Sequence, residues 1–320
     1  MTQRVLVTGA TGFVGGAVVE KLKDNGRYVP VAGSRRSVSV TEGVELAITP
    51  SLGPNADWSV ALRDVEVVVH AAARAHIMNE TSANQLAMYR KINVDGTLTL
   101  ARQAVVAGVR RFIFLSSIGV NGNHSTRLFS ESDEANPQEA YALSKYEAEK
   151  GLLRFAEDVG MEVVIIRPPL VYGPCAPGNF GRLLKWVASG VPLPLGAVRH
   201  NRRSLVARDN LVDLIVLCLD HPKAANQVFL ASDGEDLSTT ELLRRLATAM
   251  GRPPRLLPVP VKLLKLGAGL LRKGHIAQRL CGNLQVDITK TRERLGWTPP
   301  VSVDQALRET AAAYLASQQQ

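Results

Sequence analysis

The chain has 320 residues, 46% of them hydrophobic and 21% charged, with a formal net charge of +9. That length can bury a substantial core in one large or two modest domains, and the composition excludes a disordered chain. The positive excess suits an anionic partner, but the arginines form no long block and the aromatic signatures of RNA-binding modules are absent, which argues against nucleic acid.

The first apolar run, "RVLVTGA" (4–10), reads as a strand and leads into a helix over 12–25. Between them Gly9, Gly12 and Gly15 stand at G-x-x-G-x-x-G spacing. One glycine permits a tight turn, one lets the backbone approach a pyrophosphate, and one lets the helix pack on the sheet. The helix N-terminus then offers free N–H groups and a positive dipole to the phosphates. The second strand, "YVPVAG" (28–33), runs into Ser34, Arg35 and Arg36. In a dinucleotide-binding sheet this strand end faces the adenosine ribose. NAD binders usually place a carboxylate there, and NADP binders an arginine. No acid occurs from Tyr28 to Val40. Arg35 or Arg36 can pair with a 2′-phosphate in a bidentate fashion, and Ser34 can add a hydrogen bond. NADP(H) is therefore the preferred cofactor, with NAD(H) possible.

Further strands are read at 44–48, 65–72, 111–117 and 161–168, and helices at 83–107 and 139–159. The strands are continuous apolar runs rather than alternating ones, as in a parallel sheet covered on both faces. Strands alternating with helices imply βαβ units with right-handed crossovers. The fold class is thus α/β, a doubly wound parallel sheet with ligands at the carboxyl ends of its strands. "RFIFLSS" ends at Ser116 and Ser117, where a hydroxyl can face substrate; Ser117 is the preferred choice, and strand-end capping is the plain alternative. In "EAYALSKYEAEK", Tyr141 and Lys145 are four apart, on one helix face. A nearby ammonium stabilises phenolate, so the phenol can exchange a proton with a carbinol or carbonyl.

After residue 173 prolines and glycines cluster, and later helices are read at 238–250, 261–273 and 303–316, with a return to the sheet at 226–232. The expected division is 1–173 and 203–232 for the dinucleotide domain, and 174–202 and 233–320 for a smaller, mostly helical substrate region. The stretch 261–280 is basic and amphipathic. Its preferred reading is a packing helix over the substrate cleft; the alternative is peripheral contact with an anionic membrane. Cys175, Cys218 and Cys281 form neither a zinc pattern nor a disulfide framework, and His70, His76 and His124 lack metal-ligand spacing, so no metal is expected. No signal-peptide pattern and no apolar stretch of about 18 uncharged residues occurs, so the expected location is cytoplasmic.

Taken together, seven ordered segments resemble the extended short-chain dehydrogenase/reductases of the sugar-nucleotide branch. These are "TGATGFVG", "HAAA" (70–73), "NVDGT" (93–97), "SS" with "YALSK", "RPPLVYGP" (167–174), "RSLVARDNLVD" (203–213) and "RLGWTP" (294–299). The resemblance implies a Rossmann-type domain. It implies cofactor contacts from Gly9, Thr11, Gly12, Phe13, Val14, Gly15, Ala71, Ala72, Asn93, Pro168, Tyr141 and Lys145. It makes Tyr141 the general acid/base, Lys145 its electrostatic partner, and Ser117 the group that orients the substrate oxygen. Arg203 matches the arginine that holds the nucleotide diphosphate, and Asn179 is a second candidate for it. A homodimer through helices 83–107 and 139–159 is also implied. Two positions depart from the family pattern: Ser51 stands where an adenine-holding acid is common, and Leu170 where asparagine is common.

The branch contains epimerases, dehydratases and reductases. "SSIGV" has no acid beside its serines, which disfavours dehydration. The arginine pair and the look of "HAAARAHIM" and "RSLVARDNLVD" favour reduction of a UDP-4-keto-6-deoxy-N-acetylhexosamine by NADPH, for surface polysaccharide. A UDP-hexose or UDP-N-acetylhexosamine 4-epimerase with tightly held NAD is the runner-up. A non-catalytic NADP sensor ranks last, because tyrosine and lysine are both present.

Overall fold

The computed structural model describes residues 2–75, 82–271 and 274–318. The first strand, β1 (Gln3–Thr8), is followed by α1 (Phe13–Asn25), which ends at Gly26 with φ 68°. That left-handed cap is open to glycine without steric cost. Next come β2 (Tyr28–Ser34), β3 (Glu45–Ile48) and β4 (Val67–His70). The expected helix 83–107 is divided: α2 (Ser82–Tyr89), a π-helical turn at Arg90–Asp95, then α3 (Gly96–Val106). β5 (Arg111–Leu115), α4 (Ala140–Val159) and β6 (Glu162–Arg167) complete the expected alternation.

The later chain adds β7 (Leu170–Tyr172), α5 (Gly178–Ser189), β8 (Arg203–Ala207), α6 (Arg208–Asp220), β9 (Gln227–Leu230) and β10 (Asp236–Leu237). It closes with α7 (Thr239–Ala249), α8 (Val261–Leu270), α9 (Gly274–Cys281), α10 (Thr289–Leu295) and α11 (Val303–Ser317). The described residues form a seven-stranded parallel sheet in the order β3-β2-β1-β4-β5-β6-β9, and a small sheet in the order β10-β8-β7. Chain direction across the large sheet reverses between β1 and β4, which opens a crevice at their carboxyl ends.

Successive residues feed opposite cores. Val5, Val7, Val67, Val69, Ile113, Val164 and Ile166 pack beneath α1 and α6, whereas Leu6, Val68, Phe112, Phe114, Val163 and Ile165 pack beneath α3 and α4. Two covered faces explain why the strands read as unbroken apolar runs. Leu211, Leu214, Ile215 and Leu219 of α6 are fully buried; each such side chain is worth about 1.5–3 kcal/mol. Leu284, Val286, Ile288, Leu295 and Trp297 join that same core from late in the chain. A third core holds α5, α7 and α11 together through Phe180, Leu184, Leu243, Leu246, Leu307 and Ala311. No helix of the described residues is long and apolar enough to cross a membrane.

Candidate active site

The residues after β1, β2, β4, β5 and β6 all lie on one edge of the parallel sheet, so the glycine loop, Arg35, Ala71, Ser117 and Pro168 converge there. Gly9 has φ 70°, and a Cβ on it would sit 2.9 Å from the Ala72 nitrogen. A Cβ on Gly15 would sit 2.2 Å from the Gly9 oxygen. Loop, helix and the turn after β4 therefore close on one another as backbone. Gly12 caps α1 without a side-chain hydrogen bond, and the first turn has no acid. The leading N–H groups and dipole of α1 are left for an anion. Thr11 and Gly12 are exposed, and Phe13 and Val14 half-buried, beside this cradle. The cradle fits a dinucleotide diphosphate. Gly15→Ala should abolish cofactor retention, since a methyl cannot coexist with the Gly9 carbonyl; spectral analysis of the purified variant for bound dinucleotide checks this.

The turn after β4 is wired into the sheet. Thr8 Oγ1 meets His70 Nδ1 at 2.7 Å, His70 Nε2 meets Thr97 Oγ1 at 3.0 Å, and the Ala72 N–H donates to Thr8 Oγ1 at 3.3 Å. Burial, and after it the Lys145 charge, push His70 down to about 3, so it is a neutral strut between sheet and α3. His124 is exposed, and His76 lies outside the described residues. At the end of β2, Ser34 Oγ donates to the Arg36 carbonyl at 2.8 Å and accepts from the Arg36 N–H at 3.3 Å. Ser34 thus shapes the turn, while Arg35 and Arg36 are exposed at its surface.

The helix α4 carries the expected tyrosine–lysine pair. Lys145 is buried; its Nζ donates to the Leu115 carbonyl at 2.8 Å and lies 4.3 Å from the centre of the Phe114 ring. Burial pulls its ammonium down to about 7, and Glu149, one turn further along α4, opposes that fall. Tyr141 stands one turn before Lys145, edge-on to Tyr89 at 5.9 Å. Burial, then the Tyr89 phenol, push Tyr141 up to about 12. Ser117 Oγ accepts from the Gly119 N–H at 3.1 Å. A Cβ on Gly119 would touch Ser117 Oγ at 3.3 Å and Ala142 Cβ at 3.1 Å, so Ser117 abuts the turn of α4 that bears Tyr141. Ser116 Oγ is buried without a hydrogen-bond partner among the described residues. The Pro168 carbonyl accepts from the Ile118 N–H at 2.9 Å, tying the loop after β6 to the same turn.

Asn93 sits in the π-helical turn, a feature frequent at functional sites. Its Nδ2 donates to the Arg74 carbonyl and to Ser144 Oγ, both at 3.1 Å, and its Oδ1 accepts from the Arg74 N–H at 2.9 Å. Ser144 Oγ in turn donates to the Tyr141 carbonyl at 2.7 Å. The asparagine thus clamps the start of α4 to the loop after β4, and with it the backbone of Tyr141. Ser144 escapes the sequence reading because only packing pairs it with Asn93.

Of the residues expected to meet substrate, Arg203 donates to the Gly282 carbonyl at 3.3 Å. Burial, then the charge of Arg279, pull it down to about 10. Arg279, on α9, is exposed and pairs with Glu139 just before α4. A cavity of ≈ 450 Å³ is lined by His124, Lys265, Gln278, Cys281 and Asn283 among others, with Gln278 next to Arg279 in the chain and Gly282, whose carbonyl Arg203 reaches, also on its wall. The sequence reading misses Arg279, which lies 76 residues from Arg203 and belongs to no motif. Asn179 is exposed at the start of α5.

The model of the NAD dependent epimerase/dehydratase family matches residues 5–231. The chain belongs to that family. A UDP-glucose 4-epimerase of Vibrio cholerae is 47% identical over 317 residues, covering 98% of this chain and 96% of its own. Among solved structures, a UDP-glucose 4-epimerase of Thermotoga maritima crystallised with UDP-glucose has a TM-score of 0.77 at 24% identity, covering 99% of this chain and 100% of its own. A UDP-glucuronic acid 4-epimerase of Bacillus cereus in complex with NAD has a TM-score of 0.78 at 22% identity, covering 97% and 96%. The doubly wound sheet is therefore the fold of the epimerase/dehydratase family, as the motifs imply.

Proposed function

We propose that the protein is a UDP-sugar 4-epimerase that keeps its dinucleotide bound through the cycle. The observation that carries the reading is the 47% identity, across nearly both whole chains, to a UDP-glucose 4-epimerase. The sequence alone ranks 4-keto reduction first, on the arginines after β2 and on the segments 70–78 and 203–213; the named relative shifts the weight to the alternative.

The glycine cradle and the N-terminus of α1 would hold the pyrophosphate, and Lys145 the ribose beside Tyr141. A nicotinamide held there would supply the hydride chemistry at carbon 4 of the sugar, removal from one face and return to the other. Tyr141 takes the proton of the 4-hydroxyl and later gives it back. Ser117 hydrogen-bonds the same oxygen and holds it against the phenol. A charged Lys145, one turn along α4, would lower the cost of phenolate, which burial and Tyr89 make high. Arg203 and Arg279 would grip the diphosphate, two cations answering its negative charge.

Arg279→Ala should raise KM for the UDP-sugar about 10- to 100-fold, the worth of one charged hydrogen bond of about 1.5–3 kcal/mol, with kcat less changed. Steady-state kinetics with UDP-glucose check it. The dinucleotide is read as NAD, with NADP the second reading because Arg35 and Arg36 stand exposed where a 2′-phosphate would lie. The deciding experiment denatures purified protein and weighs the released cofactor, then offers UDP-glucose without added cofactor. Conversion to UDP-galactose supports epimerisation. Turnover that requires added NADPH and a keto-sugar returns the reading to reduction.

A further inference from the structure

α8 packs weakly for a helix inside a globular chain: none of its ten residues is buried. Val261 and Leu264 rest against the third core, while Leu263, Leu266 and Leu270 are 57%, 62% and 80% exposed. Steps of three and four place those three leucines on one stripe. Leu271 and Leu257 extend the exposed apolar surface beyond the two ends of the helix. A contiguous patch of this kind marks an interaction surface rather than ordinary scatter.

The segment that carries the patch has charge of one sign, although Arg279 within it pairs with Glu139 from outside. From Gly251 to Val286 the sequence has no aspartate or glutamate, in a chain that carries 29. The same span holds Arg252, Arg255, Lys262, Lys265, Arg272, Lys273 and Arg279. Lys262 and Lys265 lie on α8 itself, next to the leucine stripe. A second copy of this chain on the patch would bring like charges together, which is costly. An anionic lipid surface satisfies both features at once: apolar side chains enter the boundary between headgroups and acyl chains, and flanking cations meet the headgroups.

We infer that α8 docks the protein on an anionic lipid bilayer, lying along its surface with Leu263, Leu266 and Leu270 inserted. This goes beyond the proposed reaction and does not depend on it. Lys265 also lines the ≈ 450 Å³ cavity beside α9, so docking would set that cavity near the membrane surface.

The test is sedimentation of the full chain with vesicles of phosphatidylcholine alone, or of phosphatidylcholine and phosphatidylglycerol in equal parts. The expected result is at least about tenfold more bound protein on the anionic vesicles, since each basic residue near such a surface strengthens binding several-fold, with loss of binding at high salt. Leu266→Glu with Leu270→Glu should abolish that binding while circular dichroism and mass by light scattering stay unchanged. If the double variant fails to fold, Lys262→Glu serves instead and should weaken anionic binding several-fold. No binding of the parent protein to anionic vesicles overturns the proposal. So does undiminished binding of the variants, which would make the stripe idle. A fall in oligomer mass in the leucine variant, with no vesicle binding by the parent, would assign the patch to a second copy.

Discussion

Tyr141→Phe is expected to lower turnover of UDP-glucose by about 10²–10⁴-fold, the usual worth of a positioned general acid/base. The change removes one oxygen and leaves the ring, so its edge-on contact with Tyr89 is kept. It also leaves the backbone tie from Ser144 to the Tyr141 carbonyl. Folding and retained cofactor should therefore be those of the parent, and kcat should fall far more than KM rises. The measurement is single-turnover and steady-state kinetics on variant protein with matched cofactor content. Turnover within a few-fold of the parent would place the proton transfer elsewhere and remove the reading built on α4. Ser117→Ala is the milder companion, since Ser117 orients the oxygen without receiving its proton.

Arg167→Met is expected to be the most damaging substitution for stability. Tyr141, Lys145 and Glu149 follow one another at four-residue steps down a single face of α4. Glu149 and Arg167 are 2% and 7% exposed, and three nitrogen–oxygen contacts of 2.6–3.2 Å join them. The remaining guanidinium nitrogen donates to Asn121 Oδ1 at 3.0 Å. Removing the arginine strands a carboxylate in the core, and breaking a buried pair in this way costs about 3–5 kcal/mol. Thermal melting should show a large loss for Arg167→Met and recovery of most of it in Arg167→Met with Glu149→Gln.

Glu149→Gln alone carries a second, distinct consequence. The groups facing Lys145 are Glu149 and Tyr141 on its own helix, His70 on β4, and the Leu115 carbonyl on β5. Of these, Glu149 is the anion that opposes the burial-driven fall of the Lys145 pKa to about 7. Without it the ammonium should lose its proton at a lower pH. The high-pH limb of activity that depends on a charged Lys145 should then move downward. A lysine with a depressed pKa binds fewer protons folded than unfolded, so this residue also makes stability rise with pH, from about 7 up to the ordinary lysine value near 10.5. A pH–rate profile identical in parent and Glu149→Gln would show that the pair only packs.

Relations between near neighbours are legible in the order of residues alone. Unbroken apolar runs separated by helix-length segments dictate a covered parallel sheet, because each strand must bury both faces. Glycine spacing dictates the turn after β1, because only hydrogen fits where the Gly15 Cβ would meet the Gly9 carbonyl. Spacing by four places Tyr141 over Lys145. Tertiary structure decided the meetings of residues far apart in the chain: Asn93 with Ser144, Glu149 with Arg167, Arg203 with Arg279. It also divided the 83–107 helix with a π-helical turn that aims Asn93 at α4, and it left the leucines of α8 uncovered. No local pattern encodes these outcomes. They depend on which elements the crossovers bring side by side, and a side chain's partner is chosen by that packing rather than by its neighbours in sequence.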